Sequence, residues 1–247
     1  MHKGILIILL FFLSVSCTDK LIFETLTFEK ATTLPCKENC PHIKLKIPFA
    51  KNKTAVADSI NSKIFSVLKS IIYIDNQPFA STDYNDLLAS FIGSYEKLQK
   101  DYPNDTFGWE GDIQGSIKYQ SDKLLNIEID HYTYTGGAHG YQGLRSLLFD
   151  PQTGKIIPND QLFNDIANFK AFAEKQFRIK YKIPANGSIN STGFQFEEDQ
   201  FQLPQNIFYT EKGLLLYYNQ YEAASYADGP KELFLPYKEA EPYLAIK

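Results

Sequence analysis

The 247-residue sequence has no surplus of positive charge: 25 Lys and Arg against 29 Asp and Glu leave a formal net charge of −4. A mildly acidic chain lacks the basic face that nucleic acid requires. No apolar run reaches the roughly 20 residues a membrane-spanning helix needs. Internal repeats and low-complexity tracts are missing, and so are the short motifs of common catalytic sites. There is no G-x-S-x-G nucleophile elbow and no H-E-x-x-H zinc motif. Neither G-K-[ST] nor a G-x-G-x-x-G opening a helix is present, so nucleotide binding is not expected and no cofactor is called for. Cysteine is scarce, at three residues.

What is there describes an ordered globular protein. Hydrophobic residues make up 44% and aromatics 15%, with 16 Tyr and 19 Phe, enough for a substantial core. At the N-terminus, His2 and Lys3 precede the apolar run Gly4 to Val15, "GILIILLFFLSV", which has the length of a signal-peptide h-region. Ser16 and Cys17 follow at once and resemble a lipobox, although Ser14 stands where Leu or Val is usual. The expectation is a lipoprotein signal peptide over residues 1–16 and lipidation at Cys17, with an ordinary cleaved signal or an uncleaved anchor as alternatives. It places the chain in the cell envelope, held by lipid on the periplasmic or surface face of the outer membrane. Cleavage would remove Lys3 and leave the mature chain one charge more acidic. The other two cysteines, Cys36 and Cys40 in "PCKENCP", suit a small disulfide loop in an exported protein. Two free thiols are an alternative. A metal site is another, with His42 completing C-x3-C-x-H, but no fourth ligand is evident, so no metal is expected.

Hydrophobic periodicity assigns the elements. Residues 21–30 and 42–49 read as strands, the second from the alternation of Ile43, Leu45 and Ile47. Residues 53–72 carry Val56, Ile60, Ile64, Val67 and Ile71 at helical spacing; residues 81–103 repeat the pattern, capped by Ser81 or Thr82 and ended by Pro103. Strands follow at 109–119, 124–135 and 144–149. In the second of these, Leu125, Ile127, Ile129, His131 and Thr133 share one face, and Asn126, Glu128, Asp130, Tyr132 and Tyr134 the other. "DPQTGK" at 150–155 is a turn, Asn159 or Asp160 can cap a short helical turn, and 165–181 is an amphipathic helix with Ile166, Phe169, Phe172, Ala173 and Phe177 in register. A long irregular stretch at 183–205 leads to a hairpin at 206–219 with Gly213 at its turn, then a last strand at 231–237 and a closing helical turn. Strands and helices mix without strict βαβ alternation. The expected fold is therefore α+β, as two closely packed α+β halves with mainly antiparallel sheets. Residues 17–41 form a tether and first strand, 42–134 the N-terminal half, and 135–247 the C-terminal half.

"DHYTYTGGAHGYQG", residues 130–143, is the most distinctive stretch. Its glycines can be wholly architectural, shaping a sharp connection between strands. His131 falls on an apolar strand face and reads as a satisfied core histidine; His139 lies in the loop. A catalytic reading would draw on Asp130, His131 and His139, and a metal reading would add Asp150 or Glu128. But Asp130 and His131 are adjacent in a strand and point to opposite faces, which removes the obvious dyad. A recognition reading uses Tyr134, His139 and Tyr141 on a loop braced by Gly136 and Gly137, as rigid amphipathic side chains. "YYNQYEAASYADGP", 217–230, adds four tyrosines, with Tyr226 the candidate for the same rim.

The run "YTGGAHGYQG", the Asp150–Gly154 turn, Leu162 with Phe163, and Tyr226 to Pro230 together resemble one exported domain-of-unknown-function family. It occurs in the extracellular part of the lysozyme-sensing anti-sigma-V factor and beside the catalytic domain of some peptidoglycan deacetylases. Many bacteroidete-type lipoproteins consist of little else. The likeness spans about residues 42–242. It implies binding of lysozyme-like proteins or peptidoglycan fragments without catalytic residues, and this chain lacks the sensor's internal transmembrane helix and cytosolic segment. The functional expectation is a non-enzymatic binding module on the envelope. The alternatives are a cell-wall glycan-acting enzyme using His139, and a structural accessory lipoprotein of a larger complex.

Overall fold

The computed structural model describes residues 21–36, 38–52, 54–72, 80–103 and 107–246. The expected signal peptide, the Cys17 lipidation site and the tether up to residue 20 lie outside the described residues. The chain forms strands β1 (Phe23–Ala31) and β2 (His42–Ala50), helices α1 (Ala55–Ile71) and α2 (Tyr84–Asp101), then β3 (Glu110–Gln120), β4 (Leu125–Tyr134) and β5 (Tyr141–Phe149). Helix α3 (Ile166–Tyr181) precedes β6 (Asn206–Tyr209), β7 (Gly213–Tyr218), β8 (Lys231–Pro236) and the short α4 (Tyr237–Ala240). No helix among the described residues is long and apolar enough to cross a membrane.

The strands make a five-stranded sheet in the order β1-β2-β3-β4-β5 and a three-stranded sheet β6-β7-β8. The fold is α+β and mainly antiparallel. The exception is β2 with β3, which run parallel. A parallel pair needs a long crossover, and here α1 and α2 supply it. They lie on one face of the sheet, where Ile60, Ile64, Leu68, Leu87 and Phe91 pack against Ile43, Leu45, Ile47, Ile113 and Ile127. A second core gathers α3, the small sheet and the irregular stretch before it: Phe169, Phe177, Phe194, Phe196, Phe201 and Tyr218. Each core holds more than 20 buried side chains, and burial of about 25 cal/mol per Å² of apolar surface is the main force holding each together.

Several local expectations are corrected. Helix α2 is capped by Asp83, which accepts from the Asp86 amide at 2.9 Å, rather than by Ser81 or Thr82. Pro158 precedes the 3-10 turn at 159–162, and Asn159 spends its side chain on the Gln205 carbonyl (2.9 Å) instead of capping. Ile166 opens α3 but stays 42% exposed, off the buried stripe. Gly213 is the first residue of β7, and the turn before it is tied by Thr210.

Strand β5 begins at Tyr141 and is the edge of the five-stranded sheet, so that sheet continues past residue 134. An open edge invites non-native pairing. Here asparagines close it. The Asn219 carboxamide accepts from the Leu144 amide (2.8 Å) and donates to the Leu144 carbonyl (3.0 Å). Asn206 accepts from the Ser146 amide (2.9 Å), and the Ser146 hydroxyl donates to the Ile207 carbonyl (2.6 Å). Asn126, fully buried on β4, accepts from the Tyr209 amide (2.9 Å) and donates to the Ser146 hydroxyl (2.9 Å). This polar seam joins the two sheets and sets where the loop after β7 meets the loop before β5.

Candidate functional site

The loop between β4 and β5 is built by its glycines. Gly136 and Gly137 take φ of +102° and +92°, which side chains rarely adopt, and so reverse the chain within two residues. Tyr134 closes the turn by donating its hydroxyl to the Gly137 carbonyl at 3.0 Å. Gly140 lies so close to the Tyr132 ring that a Cβ there would come within 2.5 Å of it. The backbone therefore rests on the ring and turns His139 outward.

His139 then meets a residue from the segment between β7 and β8. Its ring stacks on Tyr226 with centroids 3.7 Å apart and planes 17° off parallel. The Tyr226 hydroxyl donates to the Gly140 carbonyl (3.0 Å), and His139 Nδ1 lies 3.0 Å from the same oxygen. A carbonyl only accepts, so Nδ1 carries the hydrogen and Nε2 is left as the acceptor. Tyr221 extends the row, 5.6 Å from Tyr226 and 61% exposed. It holds φ of +68°, an outlier for a bulky residue. Its loop is pinned by Glu222, whose carboxylate accepts from the Gln205 amide (2.6 Å) and the Asn219 amide (2.9 Å). Burial raises the Glu222 carboxyl above its ordinary range, against those bonds and the nearby Arg145 charge. The result is a ridge of three aromatic rings, Tyr221, Tyr226 and His139, each fixed by backbone contacts or stacking.

Of the residues expected at the site, the structure thus brings together His139, Tyr226, Gly136 and Gly137. Tyr141 does not join them. It sits one position from the loop on β5, half-buried, with its ring stacked at 5.9 Å on His131. His131 is buried (3% exposed), but not satisfied: neither ring nitrogen has a hydrogen-bond partner. Burial, with the Arg145 charge nearby, lowers its pKa to about 4, so it is neutral at physiological pH. Two of the acids considered as partners for a histidine are engaged elsewhere. Glu128 pairs with Lys118 (2.8 Å), and Asp150 accepts from the Gln152 amide and the Thr153 hydroxyl, both at 2.8 Å. No group of three or more His, Cys, Asp or Glu among the described residues is placed to hold a metal ion. Cys36 and Cys40 are bonded to each other, with Cα atoms 5.7 Å apart.

Tyr134 also faces a groove of about 600 Å³ that the sequence reading missed, lined among others by His42, Phe107, Trp109 and Glu110. The signal was the register of three strands, which single-strand periodicity does not carry.

The geometry defines a two-sheet α+β protein with an aromatic ridge where the loop before β5 meets the segment after β7. Residues 35–142 match the family model described as Deacetylase PdaC, and residues 156–238 match Protein of unknown function (DUF3298). The two matched segments together span most of residues 42–242, over which the sequence resembles a domain-of-unknown-function family found beside peptidoglycan deacetylase domains. Its fold is similar to that of a DUF3298 family protein from Pseudomonas aeruginosa, at 21% identity and a TM-score of 0.66, covering 93% of this chain and 95% of that one. A DUF3298 family member from Bacteroides fragilis is similar at 20% identity and TM-score 0.66, covering 91% and 94%. No curated protein matches the sequence.

Proposed function

We propose that the chain is a non-enzymatic binding module of the cell envelope that presents the Tyr221–Tyr226–His139 ridge to a lysozyme-like protein. The ridge carries the reading. Tyrosine-rich, immobilised, exposed side chains are what protein-recognition surfaces use, because ordering them on binding costs little entropy. Tyr221 held at φ of +68° with its ring 61% exposed is a strained residue without a core role, and such outliers cluster at binding sites. A formal charge of −4 favours encounter with a basic partner. The hydrogen bond from His139 Nδ1 to a backbone carbonyl, in place of a carboxylate, supports the non-catalytic reading over a glycan-acting enzyme. A peptidoglycan fragment is the alternative ligand for the same rings. The apolar run before Ser16 and Cys17 supports a lipid anchor at the outer membrane.

The test is calorimetric titration of the purified protein with c-type and i-type lysozymes at low and physiological salt. The reading expects saturable binding that weakens with salt. No heat with either class at either salt would remove lysozymes as ligands.

A further inference from the structure

We propose that β1 is a dimerisation edge, along which a second copy of this chain pairs antiparallel. The proposal goes beyond the ridge and does not depend on it.

Other sheet margins are guarded, and β1 is not. Asparagines close β5. On β8, the Glu232 amide and carbonyl meet the Tyr181 hydroxyl at 3.0 and 2.9 Å, and Pro236 ends the strand. Strand β1 is the opposite edge of the five-stranded sheet. It runs for nine residues without proline and pairs with β2 without a register break. A long, unbroken edge of this kind is a template for pairing with another strand.

The ladder fixes which groups are open. The Lys51 amide donates to the Ile22 carbonyl (2.8 Å), and the Thr32 amide to the Pro41 carbonyl (3.0 Å). Ile22 and Thr32 flank β1, and backbone groups alternate sides along a strand, so the even-numbered residues turn theirs to β2. Phe23, Thr25, Thr27, Glu29 and Ala31 therefore turn their amides and carbonyls outward. No strand among the described residues pairs with that side.

The occupant follows from the sequence of the strand, FETLTFEKA, which is complementary to itself. Paired antiparallel about its centre, Thr27 faces the partner's Thr27, and Leu26 faces the partner's Phe28. Glu24 faces the partner's Lys30, and Thr25 the partner's Glu29. No like charges are opposed, and the outward residues fall opposite one another as hydrogen-bonded pairs. Such reciprocal pairing is the isologous contact of a two-fold dimer. Leu26 and Phe28 are only partly buried against the core of one copy, and each covers the other across the junction. The two large sheets become one continuous sheet. The ridge lies by β5, at the far edge, so the dimer presents two ridges at opposite ends.

The experiment is sedimentation velocity of the purified protein from about 1 to 100 μM. The proposal expects a concentration-dependent shift to twice the monomer mass. Thr27→Pro removes the central donor and should stay monomeric throughout. That amide points away from β2, so the variant should fold, and unfolding curves check it. Lys30→Glu sets like charges opposite each other at both ends of the junction. It should weaken dimerisation about tenfold, and adding Glu24→Lys should restore it. A wild-type protein that stays monomeric at the highest concentration would overturn the proposal. So would a dimer that folded Thr27→Pro or Lys30→Glu leaves unchanged.

Discussion

The seam between the sheets and the ridge above it use similar bonds to opposite ends. In the seam, Asn126, Asn206 and Asn219 are buried, and each carboxamide oxygen accepts from a backbone amide across the junction of the two sheets. In the ridge, the bonds of His139 and Tyr226 run to Gly140, within the same surface, and the ring faces stay near solvent. A polar bond in the seam has no water to replace it, so losing one leaves an unpaired buried group. A bond in the ridge fixes an orientation, and its loss is repaired by solvent. The contrast predicts that seam variants damage folding and ridge variants damage binding.

The largest effect is expected in the seam. Asn126→Ala should cost about 3 kcal/mol, because it strands the buried Tyr209 amide, removes the donor to the Ser146 hydroxyl and leaves a gap in the seam, and urea unfolding measures it directly. A loss below 1 kcal/mol would mean that water fills the seam, and the contrast would fail.

Next comes His131, a buried side chain close to the seam whose two ring nitrogens both lack partners. Its pKa is about 4 in the folded protein and about 6.5 when unfolded, so the unfolded chain binds the proton first. Stability should therefore fall as pH drops from 6.5 towards 4, by on the order of 3 kcal/mol, and level off below. Glu222 works the other way: its carboxyl is raised by burial, so protonation on acidification relieves a cost in the folded state. Unfolding midpoints across that pH window in His131→Leu should lose the slope, and Glu222→Gln should steepen it.

Gly136→Ala sits between the regions in kind. A side chain at φ of +102° is strained and should cost about 1 kcal/mol while loosening the loop that carries His139. Thermal unfolding reads the first effect and lysozyme titration the second. Tyr226→Ala should have the smallest effect on stability, below about 1 kcal/mol, because its ring is on the surface and its hydroxyl serves only Gly140.

Much of this contrast was hidden from the sequence for physical reasons. Periodicity reports which residues share a face, and it located β2 and both long helices well. It does not report which strands become neighbours, so the parallel β2–β3 pair and the His42–Glu110–Tyr134 row were out of its reach. Asn126 falls in the polar set of β4, with Glu128 and Asp130, and reads as solvent-facing; it is buried because β6 covers that end of the strand. The helix cap slipped to Asp83 because Ser81, Thr82 and Asp83 are all competent caps. At the site, the glycines marked the loop, and Tyr226 marked its partner. Tyr141 could not be placed from the sequence because β5 starts three residues earlier than its apolar run, at Tyr141 itself, and strand parity then aims that ring at His131.

The most direct test of the ridge as a binding surface is one comparison: isothermal titration of lysozyme into the wild-type protein and into Tyr221→Ala/Tyr226→Ala, with unfolding curves for both. The account predicts matched stability and binding weakened by at least about 30-fold, the loss of roughly 2 kcal/mol typical of a central aromatic contact. Equal affinity in the two proteins would contradict it, and would move the recognition surface away from the glycine loop.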